Sequence, residues 1–107
     1  MNTRQKGRKH ELDARKLLEA EGWKVLLAPT PQRWQKAKDG GTDLFGLFDL
    51  IGVNEVGDIR FIQVKSNVDS TGKKWKEDAS FFKANKQATV EIWIYIDRVK
   101  EPRVKEI

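Results

Sequence analysis

The stretch FDLIGVNEVGDIRFIQVKS, residues 48–66, constrains the fold more than any other part of the chain. Two apolar runs, Phe48, Leu50, Ile51 and Val53 and then Ile59, Phe61, Ile62 and Val64, flank the turn-prone Asn54-Glu55-Val56-Gly57-Asp58, the pattern of a β-hairpin. An antiparallel hairpin brings the start of its first strand beside the end of its second, so Asp49 falls next to Gln63 and Lys65. Side chains alternate along a strand, so Gln63 and Lys65 project together while Val64 goes to the other side. A carboxylate, an amide oxygen and an ammonium then converge at one end of a largely apolar sheet, where charge is costly unless paired or metal-bound. Two readings are open. As chemistry, Asp49 and the Gln63 carbonyl offer hard oxygen ligands to a divalent ion such as Mg2+, and Lys65 holds or polarises a phosphate oxygen or an attacking water. As structure, Asp49 and Lys65 form a cross-strand ion pair.

The 107 residues allow one domain with a modest core. Cysteine is absent and His10 is the single histidine, which excludes disulfides, thiolate sites and histidine-clustered zinc and leaves oxygen as the ligand for any metal. The chain has no apolar run long enough to span a membrane, and MNTRQKGRKH has no apolar signal core, so a soluble, cytoplasmic protein is expected. A net charge of +5 points to a polyanionic partner, nucleic acid before an acidic membrane surface, or simply to lysines facing water. The placement of the charge decides between them.

Residues 3–21 read as a helix, with Asn2 or Thr3 as cap and Gly22 as stop. Leu12, Ala14, Leu17, Leu18 and Ala20 give it an apolar side, and Arg8, Lys9, Arg15 and Lys16 an outer basic one. Counting back from Leu18 through Ala14 puts Glu11 on or beside the buried face, where it is either a site carboxylate or the partner of Arg8 or Arg15. WKVLLA, residues 23–28, reads as a strand. Residues 29–48 show no period and carry Arg33, Trp34, Lys36 and Lys38, a basic and aromatic set suited to phosphate contact and base stacking, with Trp34 equally able to anchor the loop. Asp39 and Asp43 flank Gly40-Gly41 as turn residues or outer groups of a site. After the hairpin, residues 67–76 read as a second basic loop in which Lys73, Lys74 and Trp75 repeat the pattern, and residues 77–87 as a short helix. VEIWIYID, residues 90–97, is the strongest strand signal. Val90, Ile92, Ile94 and Ile96 face one way and Trp93 and Tyr95 the other, so the strand is buried on both faces or offers an aromatic face to a partner. The chain then turns through Pro102 into an edge strand.

Glu11 on the first helix, Asp49 opening the second strand and Gln63-Val64-Lys65 closing the third, in the order α-β-β-β-α-β-β, resemble the PD-(D/E)XK nuclease superfamily. KGRKHELDARKLLEAEGWKV, FDLIGV and FIQVKS are similar to archaeal-type Holliday junction resolvases, over most of the chain from Lys6 to about Ile96. The resemblance implies an α/β fold with a restriction-endonuclease-like core, a central mixed sheet flanked by helices. It implies a Mg2+-dependent endonuclease acting on branched or otherwise structured DNA as a homodimer, with Mn2+ able to substitute. Catalysis would rest on Glu11, Asp49, Gln63 and Lys65. Asp49 would be the central metal ligand, Gln63 would stand where an acidic residue is usual, the Val64 carbonyl would fill the metal shell and Glu11 would complete it. DNA would meet Arg8, Lys9, Arg33, Trp34, Lys36, Lys38, Lys73, Lys74 and Trp75, and dimerisation the Trp93 and Tyr95 face or the last strand edge. The neutral Gln63 keeps open a non-catalytic nucleic-acid-binding module with a degenerate site.

Overall fold

A computed structural model describes residues 3–29 and 43–107. The basic and aromatic candidates Arg33, Trp34, Lys36 and Lys38, together with Asp39, lie outside the described residues. Helix α1 (Thr3–Ala20) leads into β1 (Lys24–Leu27), β2 (Leu50–Val53) and β3 (Ile59–Ser66), then α2 (Lys73–Ser80) with a 3-10 turn (Phe81–Ala84), β4 (Ala88–Tyr95) and β5 (Arg103–Glu106). The strands form one sheet in the order β1-β2-β3-β4-β5. Only β3 and β4 run parallel, and α2 provides their crossover. The sequence order is the observed one, and the sheet is mixed and flanked by helices as expected.

Local chemistry explains the boundaries. Gly22 N–H donates to Glu19 O and Trp23 N–H to Leu18 O, a Schellman closure that needs the left-handed backbone Gly22 adopts at φ +94°. The hairpin turn is held by Asn54, whose Oδ1 accepts from the N–H groups of Val56 (3.2 Å) and Asp58 (2.9 Å), with Gly57 at φ +88°. The hairpin register pairs Leu50 with Ile62 and Val53 with Ile59.

Two cores sandwich the sheet. Between α1 and the sheet, Ala14 and Leu18 of the helix pack on Leu50, Ile62, Val64, Trp93 and Tyr95, backed by Trp23, Val25 and Leu27. On the other face Phe48, Ala79 and Val90 pack with Phe61, Trp75 and Phe82. β4 is therefore buried on both faces, and the alternative of an aromatic face free for a dimer partner is overturned: Trp93 is 4% and Tyr95 2% exposed, because α1 covers them. The second helix also begins earlier than residue 77. Trp75, Ala79 and Phe82 form one apolar stripe at helical spacing, which draws Lys73 to Lys76 out of the expected loop and into the first turn of α2.

At the far end of the sheet Arg60 and Glu91 form a fork-shaped ion pair, with Nη2 to Oε1 at 2.6 Å and Nε to Oε2 at 2.9 Å. Thr89 Oγ1 and Trp93 Nε1 also donate to Glu91, and Arg60 lies 5.3 Å from the Trp23 ring and 5.2 Å from the Trp93 ring. A buried charge is tolerated here because its hydrogen-bonding capacity is filled.

Candidate functional site

The hairpin register places the site. Leu50 pairs with Ile62, and Asp49, one residue earlier, donates its N–H to the same Ile62 O at 2.9 Å, one step out of the regular ladder, so it sits at the mouth of the hairpin against the Gln63-Val64 end of β3. Asp49 is 7% and Gln63 8% exposed. Asp49 Oδ2 accepts the Val64 N–H at 2.8 Å. The Val64 carbonyl leaves an extended strand on the same edge as that N–H, toward Asp49. The Gln63 Oε1 is buried with no hydrogen-bond donor among the described residues. A buried amide oxygen without a donor carries a desolvation cost that a cation would remove.

Asp49 has the most perturbed carboxyl of this group. Burial is the main reason its pKa is pushed up to about 7; the Val64 N–H opposes the shift, the charges of Glu11 and Asp43 add to it, and Lys65 offsets part of it. Burial also raises Glu11 and Asp43. Lys65 closes no salt bridge among the described residues, so the reading of Asp49 and Lys65 as a simple ion pair is not what the structure shows. Its charge acts on Asp49 and Asp43 through space.

Glu11 pairs with Arg8, one of the two partners expected, while standing near Asp49. It faces Asp49 closely enough to raise it, and its Oε1 accepts from Arg8 Nη1 at 3.2 Å while the same nitrogen donates to Ala28 O at 2.8 Å. Arg8 is thereby turned toward the site, and its partner is Glu11 rather than the outer helix surface; Arg15 pairs with Glu19 instead. Among the described residues no three acidic or histidine side chains stand close enough together to hold a metal ion. An ion at Asp49 would therefore draw part of its shell from neutral oxygens, for which the unpartnered Gln63 Oε1 and the Val64 carbonyl are suited.

Asp43 is the residue that sequence reasoning undervalued. The chain from Asp43 to Asp49 closes on itself through a Leu44 to Phe48 bridge, with Phe45 at φ +56° and Gly46 at φ +69°, and its apolar members Leu44, Leu47 and Phe48 sit in the second core. The antiparallel Leu44 to Phe48 bridge sets Asp43 opposite Asp49, close enough for the two carboxyl groups to act on each other.

Of the nucleic-acid candidates, Lys73 and Lys74 project into solvent from α2, loosely paired with Glu77 (4.0 Å) and Asp78 (3.5 Å). Lys9 pairs with Asp13 at 3.0 Å. Trp75 is a correction: its Nε1 donates to Leu47 O at 2.9 Å and its ring meets Phe48 edge-on, so it anchors the loop before Asp49 and is not free to stack on a base. A concavity of 530 Å³ beside α1, lined by Lys6, Lys9, Arg98 and Lys100 with Asp13 and Asp97, adds cations that the sequence did not single out. It lies past Tyr95, at the sheet end where Lys65 pairs with Ile94. No helix among the described residues is long and apolar enough to cross a membrane.

The fold is a small mixed α/β domain with acidic side chains gathered at the mouth of a hairpin. No protein-family model matches the chain, and no curated protein matches it. Among solved structures, the Holliday junction resolvase Hjc of the archaeal hyperthermophile Archaeoglobus fulgidus is similar in fold, with a TM-score of 0.65 over 94% of this chain and 76% of that one, at 14% sequence identity.

Proposed function

We propose that the chain is a metal-dependent endonuclease that hydrolyses phosphodiester bonds in branched or otherwise structured DNA, a PD-(D/E)XK nuclease with Gln in place of the usual acid. The observation that carries this reading is the buried, unpartnered Gln63 Oε1, on the residue next to the Val64 N–H that Asp49 accepts, with Lys65 on the same strand and Glu11 near enough for its charge to raise Asp49. The fold shared with a resolvase supports it. Asp49, Gln63 and the Val64 carbonyl would hold Mg2+ or Mn2+, with Glu11 completing the shell, and such an ion supplies charge neutralisation at the transferring phosphorus and a more acidic water. Lys65 contributes a cation that stabilises charge growing on the phosphate oxygens. Arg8 holds Glu11 in place through its bonds to Glu11 and Ala28.

DNA would run over the exposed Lys73 and Lys74 and the cations around Arg98 and Lys100, which flank the site. Two cuts across a symmetric junction call for two sites, which a two-fold dimer supplies. With Trp93 and Tyr95 buried, the exposed β5 edge is the remaining surface for it. The neutral Gln63 favours one competing reading, a binding module without catalysis. Lys65→Ala separates the two: cleavage falls by orders of magnitude with DNA affinity nearly unchanged if the chain is an enzyme, whereas a wild-type protein that binds DNA and cuts none of it supports the module.

A further inference from the structure

We infer that Asp43, six residues ahead of the expected site, is a second carboxylate ligand of the divalent cation and supplies the negative charge that Gln63 lacks. This rests on the metal-dependent reading above and extends it to a residue outside the D…QxK pattern.

Three observations converge. First, the Asp43 side chain does not serve its own turn. Asn54, Asp69 and Asn85 each accept the N–H two residues onward, at 3.2, 2.9 and 2.9 Å, but Asp43 makes no such bond among the described residues and stands opposite Asp49 across the Leu44 to Phe48 bridge. Second, its position is built by the backbone. Leu44 N–H donates to Phe48 O at 2.7 Å and Gly46 N–H to Asp43 O at 3.0 Å, while Trp75 pins Leu47, so the fold-back is held from both sides. Third, the site needs a ligand there. Two carboxylates set side by side by the Leu44 to Phe48 bridge, Asp49 buried and Asp43 half-buried, repel each other, and a cation between them removes that cost. The Gln63 Oε1, on a side chain 8% exposed, points to the cation because it has no donor. Asp43 and Asp49 carry two negative charges, which match a divalent ion, with Gln63 and the Val64 carbonyl as neutral oxygens. Glu11, engaged by Arg8, is not required for that balance.

The test is Mn2+ binding to the full chain, read from the free-ion EPR signal at pH 8 without DNA, for wild type, Asp43→Asn, Asp49→Asn and the double variant Asp43→Asn with Gln63→Glu. Asp43→Asn should weaken Mn2+ by at least about 10-fold, the smallest loss usual even for residues that only support a metal ligand. Restoring a carboxylate at position 63 in that background should recover most of the loss. Asp43→Ser, which suits the same turn, replaces Asp43→Asn if circular dichroism shows the latter unfolded. Unchanged affinity in the Asp43 variants with binding abolished in Asp49→Asn overturns the inference and leaves the nuclease reading intact. Absence of Mn2+ binding by the wild type overturns both.

Discussion

Replacing Asp49 by Asn should stabilise the protein at alkaline pH and do little in acid. Asp49 is an acid whose pKa rises on folding, from 3.8 to about 7, chiefly through burial and also through Glu11 on α1 and Asp43 on the preceding loop, against the opposing influence of Lys65 on β3 and the Val64 N–H. Below pH 3.8 the carboxyl is protonated in both folded and unfolded chains and contributes no pH dependence. Between 3.8 and about 7 the folded state holds a proton that the unfolded state has released, so unfolding free energy falls as pH rises, by about 1.4 kcal/mol per pH unit. The full penalty, about 4 kcal/mol, is in force above pH 7. Asn is uncharged and its Oδ1 can still accept the Val64 N–H that Asp49 accepts at 2.8 Å, so the variant sheds the penalty and keeps the bond. Urea unfolding in the presence of EDTA at pH 8.5 should show Asp49→Asn more stable by about 2–4 kcal/mol, with the difference shrinking toward zero near pH 3.5. A variant that is no more stable at pH 8.5, or equally stabilised at both pH values, would refute the assignment of Asp49 as a buried, strained carboxylate. Stability traded for a reactive group is the usual mark of a functional site.

At the other end of the sheet the sign reverses. Burial alone would raise Glu91, but the bonds from Arg60, Thr89 and Trp93 hold it below the ordinary value, so its contribution is complete above pH 4.5 and is lost as pH falls through the lowered pKa. Glu91→Gln should cost about 3 kcal/mol at pH 7 by stranding Arg60, measured by urea unfolding, and progressively less as pH falls below 4.5. The double variant Lys73→Ala with Lys74→Ala should reduce the slope of log affinity against log salt by about 1 to 2 for a DNA duplex, leaving the cleavage rate at saturating DNA close to wild type.

What was legible in the sequence follows from the range of each signal. The hairpin, the Gly22 stop and the placement of Asp49 against the Gln63-Val64 end of β3 rest on local periodicity and turn chemistry, and these features appear in the fold. Misplacement of the α2 start came from composition: Lys73-Lys74-Trp75-Lys76 looks like a basic loop until Trp75 is counted into one stripe with Ala79 and Phe82. The alternation in β4 showed that both faces are apolar, but which of them α1 covers is a tertiary choice that buried Trp93 and Tyr95. The Arg60 and Glu91 pair spans 31 residues, and no local pattern joins them. Asp43 depends on a fold-back in which Phe45, a residue with no preference for positive φ, adopts +56°, so its arrival at Asp49 left little trace in the sequence beyond the neighbouring glycines.

The central claim is that the Asp49 end of the sheet cuts DNA. The most direct measurement is cleavage of a labelled panel (four-way junction, flap, linear duplex and single strand) in Mg2+, Mn2+ or EDTA, with wild type beside Asp49→Ala. Metal-dependent cutting of the branched substrates that disappears in the variant is the expected result. Cutting that persists in Asp49→Ala, or a folded wild-type protein that cuts nothing in either metal, would contradict it.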